Sequence, residues 1–380
     1  MNTQFHPATS TGAYLAQIPA DVQLRAADYT HGGHWIVLFS ALVGVAINLL
    51  ILRLRWLSRL RWRARAGLVF AVYYLLAWTL DLPWAMYAHW WRERHYGLSQ
   101  QGLGAWLSES LISACFSAVL LAVVAMLMYA LMRRAPRTWW IWSGGVTSAM
   151  IIAVTALAPV VIEPVFNQFQ PLPAGSQRDA IGALARQAGI PAGQIISYDG
   201  SKQSSRYTAH VSGLGGSARI AVSDALLAQA SEAELRAVVG HEIGHYVMHH
   251  ELWLAFGYSA LLTFAFWMLH RLYVPLARLL GAAHAGPLSD PAGLPLLSII
   301  LTLSFLLFTP ITNGMTRLIE NQADVYSLEH AREPQGMALA LLRTADYRAA
   351  DPGLLEEWLF YDHPSIARRI QRALDWQARH

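Results

Sequence analysis

His241-Glu242-Ile243-Gly244-His245 sets two imidazoles four residues apart with a carboxylate between them. At 3.6 residues per turn, positions i and i+4 of a helix share a face. Two imidazoles on one face can hold a single zinc ion, and the intervening glutamate is placed to activate an attacking water. A hydrolytic centre of this kind needs a third protein ligand and an open fourth position. The downstream donors are His249, His250, Glu251, His270, His284, Glu320, Asp324, Glu329, His330 and His363. His249 continues the motif's face, but three ligands along one straight helix converge poorly on a tetrahedral centre. Glu320 and Asp324 lie four apart in "RLIENQADVYS" (317–327), so Glu320 can ligate while Asp324 orients a ligand imidazole. Spacing alone leaves an exposed helix face as the competing reading.

The elements around these residues follow from pattern. "SEAELRAVVGHEIGHYVMHH" (231–250) reads as a helix that runs on toward an apolar segment, with Ser231 and Glu234 as a capping box. Residues 175–189 read as a helix with Ile181, Leu184 and Ala185 on one face. "QIISYDG" (194–200) and "ARIAVSD" (218–224) read as strands separated by a Gly/Ser-rich turn region. Further helices are expected over 314–332, 335–348 and 364–378.

Six segments are apolar enough to cross a bilayer, which takes about 20 residues. They are 34–53, 66–88, 109–132, 138–161, 252–274 and 293–313. Asp81 and Pro83 predict a kink or an early stop in the second. Composition agrees: 55% of the 380 residues are hydrophobic and 14% charged, against about 25% charged in soluble domains. The 15 tryptophans favour membrane interfaces. The chain divides into a polar N-terminal segment (1–33), four transmembrane helices (34–161), a catalytic segment (162–251), two further transmembrane helices (252–313) and a helical C-terminal part (314–380). An even number of spans between the two polar parts lets them fold as one domain on one face.

The net charge is +4, but the arginines crowd short loops beside apolar runs rather than lining a groove. That argues for a lipid bilayer as partner and against nucleic acid. Cys115 is the only cysteine, which excludes an internal disulfide and a cysteine-built zinc site. Arg53, Arg55, Arg59, Arg61, Arg63 and Arg65 follow the first span, and Arg133, Arg134 and Arg137 the third. The positive-inside rule puts both loops in the cytoplasm, and the catalytic part therefore outside.

"HEIGH", "ENQADVYS" and "DHPS" together resemble the integral-membrane zinc metallopeptidases that include the CAAX prenyl endopeptidase (type 1) and the HtpX-like heat-shock proteases. "LPWAMYAHWWRERHYGLS" (82–99), "IEPVFNQFQPLP" (162–173) and "DGSKQSSRYTAHVSGLGGSARIAVSDALL" (199–227) extend the likeness from about residue 66 to the end, nearer the prenyl endopeptidase branch. The resemblance implies a mainly α fold: a polytopic membrane protein with about six transmembrane helices and a zincin-like α+β metallopeptidase domain. It implies one Zn²⁺ per chain held by His241, His245 and Glu320, with Glu242 as the base. Asp324 would be the companion behind the ligands, His363 would steady the oxyanion, and Arg369 would brace the site electrostatically. A peptide or protein substrate would lie as an added strand against 218–224. The family's Asn-Ala-Tyr is replaced here by Thr208-Ala209-His210, which keeps a hydrogen-bonding side chain at Thr208 and sets His210 beside substrate.

The expected location is a bacterial inner (cell) membrane. The family usually works on the cytosolic side, against the charge rule, so the side holding the site stays open at this stage. Two alternatives share the motif: a membrane-protein quality-control protease of the heat-shock type, and a non-catalytic zinc-binding scaffold. The intact Glu242 argues against the second.

Overall fold

The computed structural model describes residues 5–59, 66–213 and 218–380. Arg61, Arg63 and Arg65 of the arginine-rich loop, and residues 214–217 of the glycine-rich turn, lie outside them. Ten helices of ten residues or more occur among the described residues: α1 Ala20–Leu54, α2 Ala66–Ala85, α3 Leu103–Arg134, α4 Trp139–Leu157, α5 Ser176–Gln187, α6 Glu232–Val247, α7 His250–Leu279, α8 Leu294–Ala331, α9 Pro334–Arg343 and α10 Ile366–Arg379. Four strands, β1 Phe169–Pro171, β2 Ile195–Tyr198, β3 Ala209–Ser212 and β4 Arg219–Ser223, form one sheet in the order β1-β2-β4-β3.

Six helices among the described residues are long and apolar enough to span a membrane, α1 to α4, α7 and α8. Their limits exceed the apolar runs. α1 starts at Ala20, inside the segment expected to be a polar tail, because Tyr14, Ile18 and Val22 bury against Met337, Leu341 and Ile370 of the catalytic part. Pro83 neither stops nor breaks its helix. The chain passes through a π-helical turn, Met86–Trp91, and continues to His95, which accommodates the missing proline N–H. α8 joins the expected sixth span and the expected helix 314–332 into one rod.

The spans associate through close approach and polar contacts, since apolar burial gives no preference for protein over lipid. Tyr73 of α2 donates to Asn48 of α1 and lies 2.5 Å from Ser298 Oγ of α8, which ties three spans together. Trp139 of α4 donates to His270 of α7 at 3.1 Å. At Gly144 of α4 an added Cβ would collide with the Thr263 side chain of α7. Successive spans alternate in direction. The ends carrying Arg53, Arg55, Arg133 and Arg134 therefore lie opposite the catalytic part, where His284 also meets the Leu52 carbonyl at 2.8 Å.

The sheet corrects two expectations. β2 and β4 run parallel, and β3 pairs antiparallel with β4. β4 is thus interior, with both edges occupied, so a substrate cannot add to 218–224. Among the described residues β3 and β1 are the edge strands, and β3 carries no separate strand signal in its sequence. On the other side of the sheet, Ile181, Leu184 and Ala185 of α5 are buried against Ile195, Ile220 and Val222. The capping box at Ser231 and Glu234 is present, with Ser231 N donating to Glu234 Oε2 at 2.8 Å. The expected 231–250 helix is two helices: His249 takes φ 54°, a left-handed break that lets α7 leave at an angle to α6.

Gly144→Leu should force α4 and α7 apart and lower stability in detergent by about 1–3 kcal/mol. Gly145→Leu, where a Cβ meets nothing within 4 Å, should leave the melting temperature unchanged. Thermal unfolding of the two variants side by side checks this.

Candidate metal centre and catalytic cleft

α6 and α8 pack face to face, and small residues allow it. A Cβ at Gly240 would stand 3.0 Å from the Ala331 and Ser327 side chains, and at Gly244 3.0 Å from Tyr326. This closeness brings His241 and His245 of α6 against Glu320 of α8. One ligand atom from each of the three lies within 4.8 Å of the others, so together they could hold a metal ion.

The surrounding hydrogen bonds set the tautomers. His241 donates from Nδ1 to Asp324 Oδ1 at 3.0 Å. His250 donates from Nε2 to Gln322 Oε1 at 3.0 Å, so its Nδ1 accepts from His245 Nδ1 at 2.9 Å. Both motif imidazoles are left with Nε2 lone pairs, and these face each other at 3.1 Å. Lone pairs at that distance repel unless a cation lies between them. Glu320 adds Oε2 at 3.1 Å from His241 Nε2 and Oε1 at 3.4 Å from His245 Nε2. Zinc–nitrogen bonds of about 2.1 Å in a tetrahedron put ligand nitrogens about 3.4 Å apart. The donor set therefore fits a small divalent cation.

Electrostatics point the same way. Burial alone would lower the His241 pKa. The Asp324 and Glu320 carboxylates outweigh burial and push it up to about 10, so the pocket favours a positive charge at Nε2, a proton on the free ring or a metal ion in its place. Burial pushes the Glu242 carboxyl up, opposed by the two motif imidazoles, which suits a group that must take and release a proton.

Asp324 is fully buried and clasped on every side. Arg369 donates to it twice, at 2.9 and 2.7 Å, and Arg372 donates from Nη1 at 2.9 Å and also bonds Asn321. Sequence reasoning found Arg369 but missed Arg372, one turn later on α10. It also missed the His250–Gln322 pair, although His250 stood among the donors.

A cleft of about 510 Å³ opens onto these groups. Glu242, Glu320, Thr208, His363 and Arg348 are among its walls. His363 Nε2 lies 3.3 Å from Glu320 Oε1, and its Nδ1 lies 2.9 Å from Asp362 and 3.4 Å from Arg348 Nη2. Burial pushes its pKa down, with Asp362 opposing. Thr208 faces the cleft just before β3, its Oγ1 2.7 Å from Tyr198 OH. His210 does not line the cleft. Its ring lies beside Tyr198, and its Nε2 is 3.4 Å from Glu163.

Residues 171–377 match the model of peptidase family M48. The chain belongs to that family. Residues 12–168 match the model described as the CAAX prenyl protease N-terminal, five membrane helices; four of this M48 peptidase's candidate spans fall in that stretch. Its sequence is 30% identical over 298 residues to an uncharacterized metalloprotease, YhfN, of Bacillus subtilis, covering 78% of this chain and 69% of that one. It is 29% identical over 327 residues to CAAX prenyl protease 1 of Saccharomyces cerevisiae, covering 79% and 70%. The crystal structure of S. mikatae Ste24p shares the fold, with a TM-score of 0.74 at 22% identity over 94% of this chain and 90% of that one. The M48 peptidase is thus a multi-pass membrane metalloprotease that acts on peptides or proteins.

Asp324→Asn should weaken metal affinity about 10–100-fold by removing the charged partner of His241. Asp324→Ala should also cost about 3–5 kcal/mol of stability, because Arg369 is left buried and unpaired. Chelator competition and thermal unfolding measure the two effects separately.

Proposed function

We propose that this M48 peptidase is a zinc-dependent endopeptidase in which His241, His245 and Glu320 hold one Zn²⁺ and Glu242 is the general base. The supporting observation is that His241 Nε2, His245 Nε2 and the Glu320 carboxylate meet closely enough to share one ion, with Glu242 in the same cleft. A bound zinc ion supplies Lewis acidity, polarising the scissile carbonyl and acidifying water.

The chain's own groups do the rest. Glu242 takes the proton of the attacking water and passes it to the leaving amine. Asp324 and the His250–Gln322 pair hold the two ligand rings in the Nε2-facing tautomer. His363 presents Nε2–H to the developing oxyanion as the neutral tautomer whose Nδ1 accepts from Arg348. Arg369 anchors Asp324 and so acts through it. The substrate backbone pairs with the free edge of β3, where Thr208 meets the cleft, while His210 on the same strand lies against Glu163.

The substrate is a membrane-anchored peptide. An apolar cavity of about 90 Å³ adjoins His245 between Ile152 and Ala156 of α4 and Leu252 and Ala255 of α7. It admits a few carbons of a lipid-borne group beside the reacting centre, in keeping with relatives named CAAX prenyl protease 1.

The membrane is a bacterial inner membrane. Arg53, Arg55, Arg133 and Arg134 at the far ends of the spans favour a catalytic face outside the cytoplasm.

Glu242→Gln should keep its zinc and lose cleavage by at least about 10²–10⁴-fold. Metal analysis beside a peptide-cleavage assay tests this, and a variant that still cuts removes Glu242 from the mechanism. Alkaline phosphatase fused after His380 should be active in a bacterial host; an inactive fusion reverses the assigned orientation.

A further inference from the structure

The short helix Leu354–Phe360 has two unlike sides. One is committed to the protein. Glu357 is buried, accepts from Ser365 N at 3.3 Å and lies 3.2 Å from Arg368 Nε. Glu356 reaches His31 and His34 of α1 at 3.5 and 3.7 Å. Phe360 stacks on His34 with ring centroids 4.2 Å apart. From α8, Asn313 donates to the Leu359 carbonyl at 2.9 Å, and Arg317 donates to those of Glu357 at 2.9 Å and Trp358 at 3.3 Å. The other side is apolar and uncovered: Leu354, Leu355 and Trp358 are 75%, 69% and 56% exposed. At positions i, i+1 and i+4 they form one face.

The anchors fix the depth of this helix. His31 and His34 immediately precede Trp35, where the apolar run of α1 begins. Asn313 and Arg317 follow Ile311, where the apolar run of α8 ends. The helix is therefore wedged where two neighbouring spans change from polar to apolar sequence. Trp35 and Ile311, both exposed, begin the lipid-facing surface of those spans at this level, so the uncovered face continues it.

We propose that Leu354–Phe360 is an interfacial helix whose Leu354, Leu355 and Trp358 face is immersed in the headgroup–acyl boundary of the bilayer on the catalytic side. Tryptophan and leucine are the residues that settle at this depth, about 5–10 Å into the boundary. An apolar cluster of this kind left in water would be an aggregation site. The occupant is a lipid surface, because the face continues one that spanning helices already present to lipid. The chain passes from Phe360 through Tyr361 to Asp362 and His363, so lipid contact fixes the rim of the cleft at the membrane. That last consequence alone rests on the peptidase reading; the immersion stands without it.

The test uses the full chain in phosphatidylcholine–phosphatidylglycerol vesicles. In a Cys115→Ser background, single spin labels are placed through Leu355→Cys and Trp358→Cys. Trp142→Cys on α4 is the lipid-facing control, and Gln187→Cys on α5 is the water-facing one. Power saturation should give labels at 355 and 358 an oxygen-to-nickel accessibility ratio several-fold above that at 187, approaching that at 142. A ratio equal to that at 187 would overturn the proposal. So would dipolar broadening between chains, which would assign the face to a second copy. An unlabelled check compares the parent with Trp358→Phe: the fluorescence lost should be the part quenched by lipids brominated near the headgroup. Quenching of that part by aqueous iodide instead rejects immersion.

Discussion

Asp324 lies at 0% exposure near the end of α8, with one imidazole and two guanidiniums around its carboxylate. A lone carboxylate at such a place would be untenable, since desolvating a charge without partners costs several kcal/mol. His241, Arg369 and Arg372 come from α6 and α10, so satisfying this one group forces three helices into a single arrangement. The same bond fixes His241 in the tautomer that turns Nε2 inward. Glu320 stands one turn before Asp324 on the same face. Once Asp324 is clasped, Glu320 has little choice but to face the imidazole pair. The geometry of the centre follows from a charge that must be neutralised behind it.

The two imidazoles are held differently. His241 leans on an anion, whereas His245 leans on a neutral chain of His250 and Gln322. The anionic side explains why the pocket draws positive charge toward His241, and the neutral side avoids a second buried carboxylate with its own desolvation cost. Both arrangements leave the same atom free, which is what a shared cation requires.

Membrane and catalytic parts are continuous rather than linked by flexible joints. α8 runs unbroken from Leu294 to Ala331, spanning the apolar region and then carrying Glu320 and Asp324. The motif helix α6 meets α7 at the left-handed turn of His249, so the second wall of the site also passes into a span. Tyr29 of α1, Glu93 beyond α2 and Arg206 before β3 form one hydrogen-bonded group, with Arg206 2.9 Å from both others. The site is thereby set at a fixed height above the spans.

Much of this was legible in the chain because it depends on local order. The i, i+4 imidazoles, the Ser231–Glu234 box and the six apolar runs are periodic signals carried by neighbouring residues, and each appears where its spacing places it. The sequence alone determined the motif helix and the membrane spans. It could not choose among ten downstream donors, because the choice of Glu320 depends on how closely α6 approaches α8 across glycine. It assigned the substrate edge to 218–224, because strand order in a sheet is decided by which apolar faces pack together, not by any strand's own residues. It missed Arg372, the His250–Gln322 pair and the Leu354–Phe360 helix for one reason. Their partners lie far along the chain, and only tertiary packing sets the distances at which charges, lone pairs and lipid-facing carbons find one another.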